Sequence, residues 1–191
     1  MFNEFFGGGG FRQPKKGKNL LYRLNLTFKE AVSGVTKNLK IDDQDVEVKI
    51  PAGVNTGTEL RVSGKGAQAD DTKLPRGDLF LEMVVDEPKD LQREGSSLVG
   101  QLEITISQAV LGDSVMVNVV DIASVNGLKE IKVKIPSGTQ TGTNLKLKGR
   151  GIKKLRGYGN GDVYYQINIK IPSNLDRKSK KLFKELKELG H

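Results

Sequence analysis

The feature that most constrains this chain is a run it spells twice. KIPAGVNTGTELRVSGKG fills residues 49–66 and KIPSGTQTGTNLKLKGRG fills residues 134–151, with ten of eighteen positions identical. Two further landmarks recur in the same order. LNLTF (24–28) with EAVSG (30–34) answers LEITI (102–106) with QAVLG (108–112), and GDLFL (77–81) answers GDVYY (161–165). The offsets are 78, 85 and 84 residues. Self-similarity at a nearly fixed spacing marks a repeated structural unit, here of about 70 residues. The first runs from about Leu20 to Pro88 and the second from about Leu98 to Pro172.

Each unit reads as strands. Val46, Val48 and Ile50 alternate with charged residues, as do Ile131, Val133 and Ile135, and a period of two is the mark of a half-buried strand. Pro51 and Pro136 end these runs because proline donates no ladder hydrogen bond. Asn55-Thr56-Gly57 and Gln140-Thr141-Gly142 supply turns, after which Leu60 and Val62, like Leu145 and Leu147, begin return strands. Lys29–Ser33 and Ser107–Leu111 suit single helical turns at chain reversals. The one longer helix is terminal: Asp176 suits its N-cap, and Leu182, Phe183, Leu186 and Leu189 form its apolar stripe. A helix this short is marginal alone, so the stripe must pack on the second unit or on another copy of the chain.

The inventory for enzymology is thin. The chain has no cysteine, and its single histidine is the last residue, His191. Cysteine nucleophiles, disulfides, cysteine-held zinc and histidine acid–base chemistry therefore have no residues to use. The acid pairs Asp42/Asp43 and Asp70/Asp71 read as solvated loop residues rather than a hydrolytic site. The Gly-Lys-Gly and Gly-Arg-Gly loops lack the helix a phosphate cradle requires. No catalytic residue and no metal site is expected. No apolar run approaches a membrane span and no export leader is evident, so a cytoplasmic protein is expected.

The formal charge is +8, and residues 129–156 carry nine Lys or Arg against the single acid Glu130. The alternative function this suggests is a basic nucleic-acid-binding β protein. Lysines alternating with apolar residues also describe the solvated face of strands, and no aromatic lies within the run for a base to stack on. That plainer reading is preferred.

Two observations point to a binding groove. In the strand Asp78–Val85 the core face is Leu79, Leu81, Met83 and Val85, which leaves Phe80 on the polar side; Tyr164 holds the matching place in the second unit. Tyr22, Leu24, Leu26 and Phe28 share one strand face, and Leu39 and Ile41 share another. Antiparallel pairing of those two strands would bring Tyr22 and Leu24 beside Leu39 and Ile41. A shallow apolar groove beside a strand edge accepts an extended peptide. The competing reading is that all of these residues are core.

Taken together, the paired KIP…TGT runs, LTFKEAVSGVTK, the GDL and GDV strands and the closing IPSNLDRKSKKLFKEL segment closely resemble the C-terminal region of DnaJ-type J-domain co-chaperones. The likeness runs from about Leu20 to Leu189, and residues 1–11 resemble the end of that family's Gly/Phe linker. The resemblance implies a mainly β fold of two tandem, similar β-sandwich domains followed by a short C-terminal helix. It divides the chain into a linker remnant at 1–18, a client-binding domain at 19–90, a second domain at 91–172 and a dimerisation helix at 173–191.

By the same resemblance the protein is not an enzyme and needs no cofactor. It binds exposed apolar segments of unfolded proteins, prevents their aggregation and presents them to a DnaK-type ATPase chaperone. Carried over by position, the client groove falls on Tyr22, Leu24, Leu39, Ile41 and Phe80. Lys37 is a candidate contact for an acidic chaperone tail and Tyr164 a candidate client contact in the second domain. Leu182, Phe183, Leu186 and Leu189 are the expected homodimer contacts; neither membrane nor nucleic acid is an expected partner. The chain departs from the family pattern in having no His-Pro-Asp signature. It also lacks a cysteine-rich zinc module, since only Asp42-Asp43-Gln44-Asp45 separates Ile41 from Val46.

Overall fold

The computed structural model describes residues 16–42 and 44–190; the Gly/Phe-rich residues up to 15, Asp43 of the loop acid pair and His191 lie outside them. The first unit begins with β1 (Leu20–Thr27), α1 (Phe28–Ser33) and a hairpin of β2 (Val35–Ile41) and β3 (Gln44–Ile50). It continues with β4 (Glu59–Val62) and β5 (Leu79–Asp86). The second comprises β6 (Leu91–Glu94), β7 (Ser97–Thr105), α2 (Ile106–Leu111), the hairpin of β8 (Asp113–Val120) and β9 (Leu128–Ile135), β10 (Asn144–Leu147) and β11 (Val163–Lys170). Helix α3 (Arg177–Glu188) follows.

Both units lay a hairpin over a sheet that contains one parallel pair. The first sheet has the order β1-β5-β4 and the second β10-β11-β7-β6. Strand β1 is parallel to β5, with Tyr22 beside Leu81 and Leu24 beside Met83; β7 is parallel to β11 in the same way. The expected pairing of β1 with β2 does not form, because β2 pairs with β3 alone. The alternation read from β5 holds: Leu79, Leu81, Met83 and Val85 are buried and Phe80 faces the other way. They pack with Leu26 of β1 and with Val46, Val48 and Ile50 of β3, so the core of the first unit lies between sheet and hairpin.

The helical turns start where threonine caps them. Thr27 accepts from the Glu30 N–H while Glu30 returns a bond to the Thr27 N–H, and Thr105 with Gln108 repeats the device. Helix α1 then serves two cores. Ala31 packs in the first, whereas Phe28 and Val32, one helical turn apart, insert into the second among Leu91, Leu98, Val117 and Val119. The turn between β8 and β9 folds over this helix, where the Lys29 ammonium donates to the Ile122 carbonyl and, at 2.8 Å, to that of Ser124. Arg93 on β6 donates to the Gly53 and Val54 carbonyls at 2.7 Å each, a second fastening between the units. No helix among the described residues is long and apolar enough to cross a membrane.

Candidate functional site

The duplicated sheets differ at one edge. In the second unit β6 pairs with β7, setting Leu91 opposite Gly100. A Cβ on Gly100 would fall 2.7 Å from the Leu91 side chain and 2.9 Å from that of Tyr165, so a larger residue there would require both side chains to shift. The matching position in β1 is Tyr22, 78 residues earlier. No strand among the described residues pairs with the outer edge of β1, and Tyr22 is 39% exposed. Strand β2 is likewise paired on one side only. Strands β3 and β4 are also paired on one side only. Of four such edges among the described residues of the first unit, β1 and β2 are the two that carry candidate groove residues. An unpaired edge is the geometry that strand addition uses.

The candidate groove residues are distributed around these edges. Leu24 and Leu39 are half-buried and pack against the first core, and Ile41 is itself part of that core. Tyr22 lies two residues before Leu24, on the same face of β1. Tyr22 and Leu24 share the inner face of the β1 sheet, whereas Leu39 and Ile41 face the same core from the separate β2–β3 hairpin. Phe80 does not join them: its neighbours in register are Leu21 of β1 and Arg61 of β4, on the outer face. There it is half-buried, next to an exposed leucine. The structure thus packs Leu24, Leu39 and Ile41 about one core, leaves Tyr22 beyond Leu24 on the open edge strand, and places Phe80 on the opposite surface.

Lys37 lies on β2 with its ammonium 2.8 Å from Glu30, the capping carboxylate of α1. Partial burial raises the Glu30 carboxyl, but its bonds with Lys37 and with Thr27 outweigh that and hold it below the usual range. An acidic ligand at Lys37 has to displace this partner. Tyr164 is half-buried on β11, where its hydroxyl donates to Asp162 at 3.2 Å and the Lys146 ammonium sits 5.3 Å from its ring centre.

The repeated Gly-Asp motif has a role that the sequence reading did not assign. The buried carboxylate of Asp78 accepts from the Gly64 N–H, Lys16 and Arg61. Those bonds, the Gly64 N–H first, hold its acid well below the ordinary carboxylate range. Asp162 repeats the arrangement with the Gly149 N–H at 2.7 Å and Lys146 at 2.9 Å, which lower it to about 2. Each aspartate therefore clamps its own Gly-x-Gly loop. The signal was the joint recurrence of the two motifs, since a loop N–H needs an acceptor and the Gly-Asp aspartate is the acid that recurs after the Gly-x-Gly loop in both copies.

Asp176 caps α3 by accepting from the Ser179 N–H at 2.6 Å. No residue of α3 is buried, and Leu182, Phe183, Leu186 and Leu189 are all exposed. The stripe does not pack on the second unit. Lysines 129, 132 and 134 project to solvent from β9 while Ile131 and Val133 between them are half-buried. The solvated-strand reading accounts for that part of the basic run.

A family model described as the DnaJ C terminal domain matches residues 20–172. Among curated proteins, "Chaperone protein DnaJ" of Listeria welshimeri is 29% identical over 262 residues, covering 97% of this chain and 68% of the relative. Its namesake in Bacillus cytotoxicus is 29% identical with 97% and 69% coverage, and that of Lactococcus lactis 30% identical with 94% and 66%. The chain spans about two thirds of the length of these relatives. The aligned span exceeds the 191 residues available here, so the relatives carry residues within it that have no counterpart in this chain.

Proposed function

The chain belongs to the DnaJ C-terminal domain family, and from that premise we propose that it is a non-enzymatic co-chaperone module that holds exposed apolar segments of non-native polypeptides. The observation that carries this reading is the pair of open strand edges, β1 and β2, flanked by Tyr22, Leu24 and Leu39. A client segment lies along them as an added strand. Its backbone bonds to the free edge, and its alternate side chains rest on the half-covered apolar residues. Each large side chain buried there contributes about 1.5–3 kcal/mol before the cost of ordering the segment. One segment alone is therefore held weakly and released readily, which suits transfer to a DnaK-type ATPase chaperone.

A second copy of the chain, joined through the exposed stripe of α3, supplies a second groove and hence avidity for long unfolded clients. The client-binding domain at 19–90, the second domain at 91–172 and the dimerisation helix at 173–191 are the working parts in this reading. The test is suppression of client aggregation. Tyr22→Ser combined with Leu39→Ser abolishes it, whereas Phe80→Ser, on the far face, leaves it nearly intact. Full protection by a correctly folded Tyr22→Ser/Leu39→Ser variant would remove the groove.

A further inference from the structure

The far end of the basic run reaches the seam between the units. Lys153, Lys154 and Arg156 line a cleft of about 440 Å³, facing Asn55 and Thr58 of the first unit with Ser96 of the β6–β7 turn beside them. No acidic side chain lines the cleft. None of the three cations forms an ion pair among the described residues, and all three are exposed. Their mutual repulsion is thus uncompensated, and a cleft lined by one sign of charge concentrates its counter-ions.

We infer that this cleft holds an acidic segment of a bound client polypeptide. Its carboxylates pair with Lys153, Lys154 and Arg156. Polypeptide is favoured over nucleic acid because no aromatic side chain lines the cleft for a base to stack on. The source of the segment rests on the client-binding reading above; the chemistry of the cleft does not. A client with an acidic flank is held at two places, so its dissociation requires both to open.

Fluorescence anisotropy of three labelled peptides on the full chain tests this. One peptide contains only Asp, Glu, Gly and Ser, a second is an extended apolar sequence, and the third joins them through a Gly/Ser linker of roughly 20 residues reaching about 25 Å. The acidic peptide binds the parent chain and weakens as salt is raised. Lys153→Glu/Lys154→Glu/Arg156→Glu costs it about tenfold or more and leaves the apolar peptide unaffected. The milder Lys153→Gln/Lys154→Gln shifts affinity in the same direction. The joined peptide binds at least about tenfold tighter than either part.

Equal affinity of the acidic peptide for parent and charge-reversed chains overturns the cleft. A single-stranded oligodeoxynucleotide of equal charge that binds tighter, and is lost in the same variant, reassigns it to nucleic acid. A joined peptide no tighter than its parts overturns the client as source. Failure of the apolar peptide alone on the parent chain strikes the groove reading and leaves the cleft standing.

Discussion

Val32 and Val110 occupy the same place in the two copies of the duplicated unit, near the end of α1 and of α2, yet their surroundings are opposite. Val32 is 1% exposed in the second core, whereas Val110 is 59% exposed with nothing packed over it. Replacing each with alanine removes the same two methyl groups and gains the same helix propensity, so both of those terms cancel in the comparison. What remains is burial. Two buried carbon groups lose about 1.6 kcal/mol of transfer free energy, and the unfilled space left behind takes Val32→Ala to about 2–3 kcal/mol. Val110→Ala stays within about 0.5 kcal/mol, as exposed substitutions do. Urea unfolding followed by circular dichroism reads the difference as a drop in midpoint for Val32→Ala only. Equal midpoints for the two variants would refute the placement of α1 across both cores.

Two further outcomes follow from the same structure. Leu182→Asp with Leu186→Asp yields a monomer by sedimentation with both β-sheets intact, since two charges in the α3 stripe cannot be buried against a second copy; a monomeric parent chain removes the dimer. Asp162 and Asp78 are acids whose folded-state pKa lies below the unfolded one, so their stabilisation is complete above the unfolded value near pH 4 and lost as pH falls toward about 2 for Asp162 and lower for Asp78. Asp162→Asn is accordingly less stable at neutral pH and shows a shallower fall in urea midpoint between about pH 4 and 2; a slope equal to the parent's contradicts the clamp.

What was legible in the sequence, and what was not, divides along the line between local and non-local information. Alternation along β5 identified its core face because side-chain direction within a strand depends only on the residue's own parity. The Asp176 cap and the apolar stripe of α3 were legible for the same reason. Strand partners were not: β1 lies beside β5, some 59 residues away, rather than beside β2. Phe80 shows the consequence. Its oddity on a polar face was real, but once its neighbour proves to be Leu21, the same parity rule sets it opposite Tyr22.

The duplication sharpens this lesson, because nearly the same local instructions produce two different environments. Both helical turns carry a reciprocal threonine cap, yet only α1 has another unit to lie against, so Phe28 and Val32 become core while Val110 and Leu111 stay in solvent. The sheet edges diverge in the opposite sense. Gly100 sits opposite Leu91 where β6 completes the second sheet, whereas the corresponding position of β1 is Tyr22, exposed on an edge that no described strand pairs. The edge that the first unit leaves unpaired is therefore the one the proposed client uses, approaching from the side of Leu24 and Leu39, which are apolar and half-buried.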